Sequence, residues 1–169
     1  MFSSLAVAVS LVYLTYQLRQ NAKHQRGTIG HGRTERVQQL VQYVADPAFM
    51  ETVERGWAGD PTLEPVRVNQ FYWFAYGVVV TFEDTWQQHR RGMIEPAVFA
   101  TACAQMHFQV SRPGLRAAWR MMRSTFEPGF AGYMDALVRK TPAAAPRDMA
   151  AEWKALAAEE TAGPKPAAG

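Results

Sequence analysis

Apolar residues return every three or four positions along most of this chain, and nowhere do they alternate with period two for more than a few residues. The sequence contains no Asn-Gly or Asp-Gly hairpin dipeptide. The pattern therefore predicts helices throughout. Residues 35–45 place Val37, Leu40, Val41 and Val44 on one face. Asp46-Pro47 reads as an N-cap followed by proline at the first helical position. The helix it opens turns Phe49, Met50, Val53 and Trp57 inward and Glu51, Glu54 and Arg55 outward. After a Gly/Pro-rich break over 56–61, a long helix is predicted for 64–91, with a core stripe of Phe71, Phe74, Val78, Phe82 and Trp86 and a glycine stop at Gly92. Pro96 opens a helix with Phe99, Cys103, Met106 and Val110 in line. Pro113 opens another with Leu115, Trp119, Met122 and Phe126. Beyond Glu127-Pro128 the last strong face is Phe130, Tyr133, Met134, Leu137 and Val138. Gly77, inside the long helix, costs about 1 kcal/mol relative to alanine and predicts a helix crossing close by.

Each narrow apolar stripe must be buried against another helix. The expected fold is therefore all-α, an antiparallel bundle of about six helices with a long N-terminal hydrophobic helix. The chain divides into residues 1–27, a hydrophobic helix with a basic flank; 28–140, the bundle; and 141–169, an Ala/Pro-rich tail. A thin helix over 147–160, with the stripe Met149, Trp153 and Leu156, is expected to dock weakly.

Composition adds a size limit and an address. At 169 residues, 48% of them hydrophobic, the chain suits one domain with tails and is too apolar for disorder over most of its length. Its net charge of +3 is unevenly placed. Arg19, Lys23, Arg26 and Arg33 face no acid within residues 1–34, while the other 14 Lys and Arg balance all 15 Asp and Glu. Basicity beside an apolar run, with a neutral remainder, argues against nucleic acid as a partner. A lone cysteine, Cys103, excludes an internal disulfide and any CxxC site.

Phe2 to Leu18 carry no charge. An export signal would need a basic start and a small-residue cleavage site, and neither is present. At the helical rise these residues reach about 25 Å, short of the roughly 30 Å of hydrocarbon. Thinning costs little per ångström, and Tyr13 and Tyr16 sit where interfacial aromatics belong. A membrane helix is the favoured reading, with an amphipathic helix buried on its own domain as the alternative. A span would place Arg19, Lys23 and Arg26 on the cytoplasmic side of the inner membrane, against anionic lipid heads, with the main domain cytoplasmic.

Two clusters are candidates for chemistry. Glu83 shares a helix face with Tyr72, Tyr76, Gln87 and Arg90, a carboxylate between two phenols that suits a small ligand or a general base; the plainer reading pairs Glu83 with Arg90 and Gln87 on a half-exposed flank. Arg112, Arg116, Arg120 and Arg123 line up at steps of four, four and three, a row suited to phosphate, acidic lipid or an acidic partner, or else a solvated flank. His107 follows Cys103 by four, which could activate the thiol, but the stripe around Cys103 reads as buried and inert. Metal-ligand spacing is absent, and no cofactor motif occurs.

Several of these residues form a wider pattern. The run Tyr13-Leu14-Thr15-Tyr16-Gln17-Leu18-Arg19-Gln20-Asn21 ends the hydrophobic helix. Asp46-Pro47, Arg55-Gly56, Phe82-Glu83 with Gln88 and Gly92, Pro113-Gly114, Trp119, and Phe130 with Tyr133 and Asp135 follow in order. Over about residues 10–140 this series resembles a widespread, mainly proteobacterial family that combines an N-terminal hydrophobic helix with an all-helical domain. The resemblance implies a membrane-associated helical protein and brings no activity with it. Members carry more apolar residues upstream, so this chain reads as starting inside that segment. The expected function is a non-catalytic binding or scaffold module held to lipid through residues 2–18, with an unidentified protein partner or a homo-oligomer formed through the first helix. The alternative is a ligand-binding protein or enzyme centred on Glu83.

Overall fold

The structure is a computed structural model that describes residue 42 and residues 45–145 and 147–162. Those residues form six α-helices and contain no strand: α1 (Pro47–Ala58), α2 (Pro65–Arg90), α3 (Pro96–Val110), α4 (Pro113–Met122), α5 (Pro128–Lys140) and α6 (Met149–Thr161). A 3-10 turn, Arg123–Thr125, extends α4. The hydrophobic segment 2–18, its flank of Arg19, Lys23 and Arg26, and most of the helix expected over 35–45 lie outside the described residues. No helix among the described residues is long and apolar enough to cross a membrane.

The first five helices all begin with proline, whose missing N–H costs nothing in a first turn. Side-chain caps satisfy other first-turn donors. Asp46 Oδ1 accepts from Ala48 N–H at 2.9 Å, and the Glu127 carboxylate accepts from Gly129 and Phe130 N–H, both at 3.0 Å. The thin helix expected at 147–160 forms as α6, capped by Asp148. Its stripe stays in solvent, with Trp153 70% exposed. Gly92 stands beyond the last turn of α2 at φ +69°, the left-handed conformation that glycine adopts without strain.

Helix α2 packs against α1, α3 and α4, while α1 also touches α4, and α3 touches α4 and α5. Its buried line is Phe71, Ala75, Val79, Phe82 and Trp86. Phe74 and Val78, expected in that line, are only partly buried. Small residues win the central places because they let neighbouring helices approach, and Ala75 and Val79 are both fully enclosed. Phe130 is fully buried at the centre of an aromatic cluster, with Trp86 at 5.5 Å, Phe126 at 5.6 Å and Phe82 at 6.1 Å between ring centroids. Edge and tilted geometries of this kind add about 0.5–1.5 kcal/mol per pair beyond burial.

The close helix crossing expected at Gly77 is elsewhere. Gly77 is exposed, with open space where a side chain would begin. The crossing joins α1 to α4 at Gly56 and Gly114. A Cβ on Gly114 would lie 1.7 Å from the Gly56 carbonyl oxygen, and one on Gly56 would lie 2.2 Å from the Phe71 ring. That contact fixes the corner on which the candidate site is built.

Candidate functional site at the start of helix α4

The four arginines of the predicted row meet four different environments. Arg116 Nη1 donates to the carbonyls of Val110, Val138 and Thr141 at 3.3, 3.1 and 2.9 Å. It thereby ties together the C-terminal ends of α3 and α5. Arg123 is engaged with Asp135, Nε to Oδ2 at 2.8 Å and Nη2 to Oδ2 at 2.7 Å. The same carboxylate accepts from the buried Trp119 Nε1–H at 3.0 Å. These bonds, first of all the one from Arg123, hold the Asp135 carboxyl below its ordinary range. Arg120 is exposed.

Arg112 is different again. It is half-buried at the N-terminal boundary of α4, and its side chain makes no hydrogen bond or ion pair among the described residues. Its guanidinium carbon stands 5.1 Å from the Trp57 ring centre and 4.6 Å from that of Phe108. Arg147 approaches the same Phe108 ring, at 5.6 Å, while its own guanidinium pairs with Glu152. Burial first, and then the neighbouring positive charge of Arg147, make the charged form of Arg112 less favourable than for an ordinary arginine.

The space beside Arg112 is a cleft of about 540 Å³ between α1, the α3–α4 corner and the segment leading into α6. That volume falls in the range of small-molecule sites, about 300–1,000 Å³. Met50, Trp57, Phe108, Pro113 and Met149 supply an apolar lining, and Glu54 and Asp148 are also part of the wall. The wall from residue 144 onward is held in place by Ala144 N–H, which donates to Ser111 O at 2.8 Å.

The Glu83 cluster assembles less completely. Glu83 is half-buried and its side chain makes no hydrogen bond or ion pair among the described residues, so neither the pair with Arg90 nor that with Gln87 forms. Arg90 lies over Trp86 at 4.7 Å instead, and Gln87 is half-buried. Tyr76 packs on Phe126, and both Tyr72 and Tyr76 meet the exposed Trp73 edge-on. Asp84, next along the helix, is half-buried and accepts from Gln88 Nε2 at 2.9 Å.

The Cys103–His107 pair does not form. Cys103, half-buried rather than enclosed, lies 3.2 Å from the Tyr133 hydroxyl. Burial first, then that thiol, raises the Tyr133 pKa. His107 Nδ1 is 2.7 Å from Thr141 Oγ1, whose proton goes to Leu137 O at 2.8 Å, so the imidazole is the donor to Thr141. Among the described residues no group of three His, Cys, Asp or Glu is placed to hold a metal ion.

Sequence reasoning missed Phe108, Arg147 and the role of Trp57 beside Arg112. The one available signal was the helix start. The residues before Pro47, Pro65, Pro96 and Pro128 are acidic, as the positive end of a helix favours, whereas Arg112 precedes Pro113. No family model matches the chain, and neither a curated protein nor a solved structure matches it.

Proposed function

We propose that this protein is a membrane-associated, non-catalytic binding module whose binding element is the corner at Arg112. One observation carries the binding half of this reading. The Arg112 side chain is half-buried beside a largely apolar cleft with no ion-pair partner, whereas Arg116 bonds three carbonyls and Arg123 pairs with Asp135 on the same flank. A desolvated cation without a counter-charge costs free energy, and an incoming anion recovers it. The membrane half rests on the uncharged run Phe2–Leu18 and the basic residues Arg19, Lys23 and Arg26 behind it.

The two halves are tested separately. After an alkaline carbonate wash the full chain is expected in the membrane pellet, and a chain lacking residues 1–20 in the supernatant; release of both would remove the anchor from the reading. With vesicles containing phosphatidylglycerol, co-sedimentation of the full chain should weaken as salt rises and weaken again for Arg112→Gln. Identical sedimentation of Arg112→Gln and the native chain would take the corner out of the proposal.

A further inference from the structure

The chemistry of the cleft limits what it can take. Its lining is mostly apolar: Met50, Trp57, Phe108 and Met149 offer rings and flexible thioethers to a hydrocarbon chain. Arg112 Cζ lies over the rings of Trp57 and Phe108, and the guanidinium N–H donors have no hydrogen-bond partner among the described residues. Those donors form a fork that fits a carboxylate with two parallel hydrogen bonds. Glu54 and Asp148 share the wall and oppose a head group of higher charge. Arg147 cannot supply a second free cation, because Glu152 holds it.

Resting on the reading of the Arg112 corner as the binding element, we infer that the cleft binds a single-chain amphiphile with one negative charge, its carboxylate on Arg112 and its chain over Trp57, Phe108 and Met149. The ligand class is a fatty-acid-like monocarboxylate, reached from solution or from the surface of a bilayer. Nothing in the site calls for a bond to be made or broken.

Dodecanoate below its micelle concentration, titrated calorimetrically into the full chain, is the direct test. Saturable binding at one site per chain is expected. Arg112→Gln should weaken it about tenfold or more, the scale of one lost charge-assisted hydrogen-bonded contact. Dodecyltrimethylammonium, with the same tail and the opposite charge, should also bind at least about tenfold more weakly. The variant keeps residues 1–18, so any uptake of the tail by that apolar run cancels in the comparison. Should Arg112→Gln fail to fold, Met149→Asp serves instead. It changes an exposed first-turn residue of α6 where an acid is tolerated, and it places a carboxylate in the cleft wall to compete with the ligand.

Equal binding by the native chain and both variants, or equal binding of the two amphiphiles, overturns the inference. If dodecanoate gives no heat while phosphatidylglycerol vesicles still respond to Arg112→Gln, the ligand class is wrong and the binding element stands. If neither responds, both fail together.

Discussion

The two ends of α4 each set an arginine near a tryptophan, and they treat it in opposite ways. At the C-terminal end, Arg123 and the Trp119 indole converge on one carboxylate, Asp135, which α5 brings to them. Arg123, Trp119 and Asp135 are all partnered there, and the arrangement joins two helices. At the N-terminal end, Arg112 rests against Trp57 and Phe108, and no carboxylate of α1 or α3 forms an ion pair with it. Both arginines lie on one flank, eleven residues apart, about three helical turns. The difference is therefore made by the facing helices. A residue of the first kind stabilises the bundle, and one of the second kind leaves a charge to be matched from outside.

The largest effect available is to force the N-terminal end apart. Gly114→Ala places a methyl 1.7 Å from the Gly56 carbonyl oxygen, a backbone atom that no rotamer change can move aside. Destabilisation beyond about 4 kcal/mol, read as loss of the cooperative urea transition, is expected. A native-like transition would mean that α1 and α4 do not cross at the two glycines. At the sealed end, Asp135→Ala removes the partner of Arg123 and leaves the Trp119 N–H buried with no acceptor. The expected loss is about 2 kcal/mol, measured by the same denaturation. Arg116→Gln, which abandons three carbonyls midway between the two ends, should cost a similar amount of about 2 kcal/mol.

How far this contrast could be read from the sequence depends on what each residue's fate requires. The helices were legible because proline starts and apolar spacing are local: five of the six begin at a proline that the sequence marks. The buried line of α2 was misread at Phe74 and Val78, since spacing alone does not say which apolar face meets three neighbouring helices. Gly77 misled for the same reason, and the true crossing used Gly56 and Gly114 from separate helices. The arginine row was legible as a row. Its division into a structural brace, an ion pair and an unmatched cation depended on Val138, Asp135 and Phe108, which sit on other helices. Glu83 with its phenols is a correct helical face whose members turn to different neighbours.

Acid probes the sealed end more gently, together with the turn after α1. The Asp135 carboxyl is held low chiefly by Arg123, and the Asp60 carboxyl is held at about 2 by the Thr62 hydroxyl and backbone N–H, with Arg55 behind them. Groups whose folded pKa is depressed stabilise fully above their unfolded value, near 4, and lose that contribution as pH falls through the folded value. Stability should therefore be level from neutral pH down to about 4 and decline toward about 2. Asp135→Asn should flatten part of that decline. An unchanged acid limb in the variant would show that the Arg123–Asp135 contact contributes nothing in solution.

Arg112→Gln completes the comparison by changing least. The side chain has no hydrogen bond to lose, and its stacking on two rings is worth about 0.5–1 kcal/mol at a partly exposed site. Relief of the repulsion from Arg147 offsets some of that. The midpoint of unfolding should thus move by less than the equivalent of about 1 kcal/mol, well below the effect of Asp135→Ala. A loss of the same size as at Asp135 would mean that Arg112 is another brace of the fold, engaged by partners of its own. A near-silent substitution at a half-buried arginine has a different meaning. The free energy this side chain can supply is then still uncommitted within the bundle, which is the condition for spending it on a ligand.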